Sequence, residues 1–169
     1  MRLNREEITR FGERLSNVVM DVSAIGMVLM TVAIGIQVFG RYVLNDSPAW
    51  SEPFALILML YIVLLSAAVG VYRGFHLGVR FFVGLLPLST RRTVFIAVQL
   101  LTAIFGSVMA LQGVQLAQYT SSHVIPTLDV SRSIAYWPFV LCGCLIVFFA
   151  ALRVAQMSGE ERTWDPWSL

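Results

Sequence analysis

Residues 22–40, 54–72, 93–122 and 133–152 each run for nineteen residues or more without an acidic or basic side chain. An α-helix rises 1.5 Å per residue, so about 20 residues cross a hydrocarbon core of about 30 Å. Inside lipid every backbone N–H and C=O must be satisfied within the segment, and runs this continuous therefore read as helices. The remaining chain is short. Of 169 residues 57% are hydrophobic and 13% charged, about half the charge of a soluble domain. The sequence predicts an all-α integral membrane protein, a single membrane domain over residues 1–169 with four spans at about 18–42, 51–72, 93–119 and 133–155.

The twelve basic residues are all arginine, and their distribution sets an orientation. Ten lie in the leader, in the connection between spans two and three, or after span four; Arg41 and Arg132 alone fall in the other two loops. Basic residues of short loops stay cytoplasmic, so both termini are expected inside and loops 40–53 and 120–132 outside. The net charge of +2 describes a membrane topology and gives no reason to expect nucleic acid. The charged leader of some twenty residues, the length of the first apolar run and the lack of a small-x-small site predict that the first run is not a cleaved signal peptide.

The leader "NREEITRFGERLSNVV" has Ile8, Phe11, Leu15 and Val18 at spacings of three and four, with Asn4 and Glu7 placed as an N-cap and its partner. It is expected as an N-terminal amphipathic segment, either lying on the cytoplasmic surface or running straight into the first span. Between spans two and three, "VYRGFHLGVRFFVGLLP" is too short to cross and too apolar to be a wet loop. An interfacial helix over about 75–86 is expected, with Arg73, His76 and Arg80 on a stripe turned toward anionic lipid headgroups. Span three carries Ala103, Gly106, Ala110, Gly113 and Ala117 at alternating spacings of three and four. Small residues in such a stripe admit a second helix closely, since association in lipid depends on packing.

Catalytic patterns are missing. No Asp, Glu, Lys, Arg or His lies near the middle of a span, and Asp21 sits at the cytoplasmic edge of the first. Proton relays and ion pathways use such residues or broken helices, so a carrier working alone is not expected. His76 and His123 lie on opposite sides of the membrane and cannot be paired axial haem ligands. There is no nucleophile with its base, no metal-spaced cluster and no phosphate-binding glycine loop. Cys142 and Cys144 are two apart within one span, point in different directions and are expected to be inert. An enzyme and a cofactor are therefore not expected; a helper subunit is.

The break "GRYVLNDSPAWSEP" at 40–53 combines turn chemistry, an interfacial Trp50 and the opposite charges Arg41 and Glu52. Ser51 is expected as an N-cap, Pro53 fits the first turn of a helix, and Arg41 and Glu52 are expected to pair across the hairpin. "FGRYVLNDSPAWSEPF", with its aromatic-glycine-arginine-aromatic segment, short turn and Trp-x-Glu, resembles the small membrane subunit (DctQ-like) of the TRAP transporters, the tripartite ATP-independent periplasmic transporters. "AAVGVYRGFHLGV", followed by "LLP", is similar to that family's next landmark, and the four-span layout extends the resemblance over nearly the whole chain. The family often has a second glutamate where Pro53 stands and an acidic residue where Arg80 stands, so roles resting on those acids do not carry over.

The resemblance implies sodium-driven uptake of an organic acid across the bacterial inner membrane. A periplasmic solute-binding protein delivers the acid to a large membrane subunit, which the small one supports, with Arg41, Trp50 and Glu52 placed for partner docking. The substrate and sodium sites would lie in the larger partner. A non-transport anchor or assembly subunit of another envelope complex is the alternative that the residues themselves leave open.

Overall fold

A computed structural model of the chain describes residues 3–74 and 88–157. Four long helices dominate: α1 (Leu3–Phe39), α2 (Ser51–Arg73), α3 (Leu88–Tyr119) and α4 (Trp137–Met157). All four helical stretches are long and apolar enough to cross a membrane. The leader is continuous with the first span, so among its two expected dispositions the structure has the straight extension. The expected interfacial helix at 75–86 lies outside the described residues.

The helices pack as an open row. α1 lies along α2, α2 along α4, and α4 along α3, while α3 has its extended contact with α4 and not with α1 or α2. Each neighbour is fitted by small residues. On α1, Gly12, Ser16, Val19, Ser23 and Ala33 are buried, with Gly26, Met30 and Gln37 completing an alternation of four and three on the side where Gly12 and Gly26 meet Tyr72 and Ile62 of α2. A strict heptad spacing keeps one seam against a neighbouring helix along its whole length. A Cβ at Gly12 would come within 2.7 Å of the Tyr72 hydroxyl, so the absence of a side chain there admits the tyrosine.

α3 and α4 approach most closely. A Cβ on Gly143 would lie 2.5 Å from the Gly106 carbonyl oxygen and 2.7 Å from the Ala110 nitrogen, which are backbone atoms that cannot swing aside. Gly113 faces Phe139 and Val140 in the same seam. On its other side α4 shares a small core with α2, built from Ala68, Val71, Cys142 and Ile146 with Leu64, Met109 and Leu145 against it. Cys142 is buried in that core, while Cys144 is exposed.

The end of the row away from the α1–α2 hairpin is closed by an arginine that the sequence marks only by its charge. Arg153 of α4 is 7% exposed, and its Nε donates to the Tyr72 carbonyl at 2.7 Å, with Nη2 donating to the same oxygen. Tyr72 is in the last turn of α2, where helical carbonyls lack intrahelical donors and the dipole favours a cation. Gly74, at φ 68°, takes the left-handed position beyond the helix and donates to Gly70 and Val71. Arg153 thus caps a neighbouring helix. Its guanidinium also lies over the Tyr72 ring at 5.9 Å, and that ring packs on Phe149 with centroids 4.9 Å apart.

Two stability measurements on the purified protein test this packing. Gly143→Leu should cost about 1–3 kcal/mol or prevent folding, seen as an early melt and aggregation on size exclusion, whereas Gly35→Ala and Gly70→Ala, with nothing within 4 Å of the new Cβ, should melt at or above the parent. Arg153→Ala leaves a buried carbonyl unserved and should cost about 1–3 kcal/mol. Arg153→Lys, which keeps a cation at the helix end, should recover part of that loss. An Arg153→Ala protein melting with the parent would show that the cap contributes nothing.

Candidate functional site

The hairpin between α1 and α2 is shaped by backbone bonds. α1 ends in a five-residue π turn, Gly40–Leu44, and Asn45 at φ 53° reverses the chain. The Gly40 carbonyl accepts from the amides of both Asn45 and Asp46, the latter at 3.0 Å. A Cβ at Gly40 would stand 2.7 Å from the Asp46 oxygen and 3.0 Å from the Pro48 Cδ, so a glycine is needed for the chain to fold back this tightly. Ser51 is fully buried. Its hydroxyl donates to the Pro48 carbonyl at 2.7 Å and does not cap α2, which carries no side-chain cap. The expected N-cap is replaced because Ser51 already lies inside the helix, where its hydroxyl points back to the turn.

Trp50 is half-exposed and meets the Phe54 ring edge-on at 6.0 Å, a geometry suited to the headgroup boundary. Arg41 and Glu52 are both exposed, and among the described residues neither has a hydrogen-bond or ion-pair partner. The ion pair expected between them is not formed. Each instead occupies the helix end that suits its sign: Arg41 in the last turn before Asn45 and Glu52 in the first turn of α2.

The loop between α3 and α4 contains a short antiparallel pair, β1 (Val124–Ile125) and β2 (Val130–Ser131), that the spacing of polar residues did not announce. Asp129 turns it at φ 51° and donates its amide to Ile125 at 2.9 Å. Ser131 then caps a 3₁₀ turn, Arg132–Ala135, by accepting from the Ser133 amide at 3.3 Å, and its hydroxyl lies 3.0 Å from that of Ser133. The Tyr61 hydroxyl of α2 donates to the Ile134 carbonyl at 3.1 Å, which ties this loop to the helix row. Exposed Trp50, Tyr119 and Trp137 stand at the helix ends beside these two loops, the distribution of an interfacial aromatic belt.

At the opposite end of α2 Arg73 turns toward α1. Its Nε donates to the Ser16 hydroxyl at 3.2 Å and its Nη2 to the Asn17 carboxamide oxygen at 2.8 Å. The arginine expected to address headgroups therefore also belongs to the α1–α2 seam. His76 and Arg80 lie outside the described residues. The stripe Ala103, Gly106, Ala110, Gly113 and Ala117 runs along one side of α3; Gly106, Gly113 and Ala117 are buried, and Gly106 and Gly113 meet α4.

Two contributors were missed in the sequence, Arg153 and the small-residue seam of α1. The second had a readable signal in Gly12, Ser16, Ser23, Gly26 and Ala33, whose spacings are all sums of three and four. Among the described residues no three His, Cys, Asp or Glu side chains cluster to hold a metal ion. The arrangement offers surfaces and a row of packed helices, with Arg41 and Glu52 exposed at helix ends.

Comparison with known proteins agrees with that character. The chain is 28% identical over 112 residues to the sialic acid TRAP transporter small permease protein SiaQ of Vibrio cholerae serotype O1, the match covering 66% of this chain and 65% of that relative. Residues 30–159 match the family described as tripartite ATP-independent periplasmic transporters, DctQ component. That match takes in spans two to four and the last ten residues of α1, together with the α1–α2 and α3–α4 loops, and the chain accordingly belongs to the DctQ family of inner-membrane transporter components.

Proposed function

We propose that this chain is the small transmembrane subunit of a sodium-driven, binding-protein-dependent uptake system, and that it supports a large permease subunit in the bilayer. The observation that carries the reading is the absence of ionisable residues from the central turns of all four spans. Transported anions and coupling ions need charged groups or broken helices at that depth. The substrate and sodium sites therefore belong to the large membrane subunit, and a periplasmic solute-binding protein brings the cargo to it. An organic acid is the cargo class, in keeping with the sialic acid in the name of the Vibrio relative.

The orientation follows the arginines, with both termini inside and the loops containing Trp50 and Val124–Ile125 outside. Trp50, Arg41 and Glu52 then stand on the face that a periplasmic binding protein approaches. On that orientation Arg73 lies at the inner surface, where arginines attract anionic headgroups, and the sequence stripe it shares with His76 and Arg80 is proposed for the same role.

Reconstitution tests the reading. The large subunit should co-purify with this chain, and carboxylate uptake into proteoliposomes should require both chains, the binding protein and an inward sodium gradient. Failure to co-purify, or uptake that persists without this chain, would overturn it. Within the same assay a double-mutant cycle on Arg41→Ala and Glu52→Ala should be additive within about 0.5 kcal/mol, because the two charges act at separate helix ends. A larger coupling would show that the assembled complex brings them together.

A further inference from the structure

The membrane-facing hydroxyls of this chain serve themselves. Thr31 donates to the Met27 carbonyl, Thr102 to Val98 and Ser107 to Ala103, each one turn back and each at 2.8 Å, so none needs a partner from outside its helix. Gln112 and Gln115 of α3 do not follow that rule. Both are exposed, and among the described residues neither amide has a hydrogen-bond partner.

Their position makes this informative. They share a stripe with Leu101, Phe105, Val108 and Tyr119 at alternating spacings of four and three, and all six are exposed. The stripe is offset by two residues, about 200°, from the one that packs on α4, so it is the outermost face of α3 at the edge of the row. Tyr119 marks the aromatic belt, and Gln115 and Gln112 lie about 6 Å and about 10 Å inward from it. Two amide groups are thus directed from the row into the hydrocarbon layer, where lipid tails offer no hydrogen bond. At the corresponding outer end of α1, the exposed Val32, Ile34, Ile36, Val38 and Phe39 are apolar. One edge of the row is suited to lipid and the other is not.

We propose that the Phe105–Val108–Gln112–Gln115 face of α3 is the seam on which this chain meets a transmembrane helix of the large permease subunit, and that this helix carries amide or hydroxyl side chains at the depth of Gln112 and Gln115. The proposal rests on the subunit role given above. A second copy of this chain could also present amides at that depth. The large subunit is the occupant because this chain is one component of a multi-part transporter and its relative is a small permease, roles that imply a different membrane partner.

The test uses the co-expressed complex and the chain expressed alone. Gln112→Leu with Gln115→Leu makes α3 more compatible with lipid, so the yield of the chain alone should hold or rise. The yield of the complex should fall by roughly three-fold for each amide lost, the mean strength of such contacts between membrane helices. Benzoylphenylalanine at Phe105 or Val108 should give a photo-adduct with the mass of this chain plus the large subunit, and at Val32 or Ile36 should give none. An undiminished complex yield, or α3 adducts with the mass of two copies of this chain, would overturn the seam. If the complex forms but the adducts come from α1, the seam is wrong and the subunit role stands; if the unsubstituted chains never co-purify, both fall.

Discussion

α4 is the helix on which the row depends, because α3 joins the rest of the molecule through it. In lipid there is no water to drive apolar surfaces together, so helices associate through close packing and through polar groups with nowhere else to turn. α4 uses one of these on each side. Toward α3 it has no side chain at Gly143, which lets two backbones meet. Toward α2 it extends Arg153 to a carbonyl that the end of the helix leaves open. The seam between α1 and α2 combines both means, with Gly12 admitting Tyr72 and Arg73 reaching Ser16 and Asn17.

The two ends of the row differ in chemistry. The end away from the α1–α2 hairpin is crossed by arginine side chains that join α1 to α2 and α2 to α4. The hairpin end is held by short backbone turns, the Gly40 carbonyl with its two amides and the Ser131 cap, and it exposes tryptophan and tyrosine. Arg41 and Glu52 there sit singly at helix ends, where the dipole suits them. This division fits the supporting role proposed above: fixed at one end, presenting side chains at the other.

Much of this could be read from the residues, for physical reasons that also mark the limits. The four spans are legible because lipid demands some twenty apolar residues in sequence, and the Gly106–Gly113 stripe because close packing demands small ones at helical spacing. What escaped depends on pairs remote in sequence. That Arg153 would serve the Tyr72 carbonyl requires knowing that α2 and α4 are neighbours, which no local pattern states. Arg41 and Glu52 misled for the opposite reason: they are close in sequence and opposite in sign, yet each is placed by its own helix end. The β1–β2 pair consists of two residues on each side, too short for alternation to register.

The Arg153 cap also orders events in time. A ribosome delivers α1, α2 and α3 before α4, so the end of α2 must enter the membrane boundary with its Tyr72 oxygen served by water or headgroups. α3 arrives with its glycine face empty in the same way. α4, emerging after them, supplies both missing partners at once, Gly143 for α3 and Arg153 for α2. Until α4 has emerged the chain is a hairpin and a lone helix awaiting a common neighbour, and a nascent protein cut short before Arg153 would leave the end of α2 uncapped.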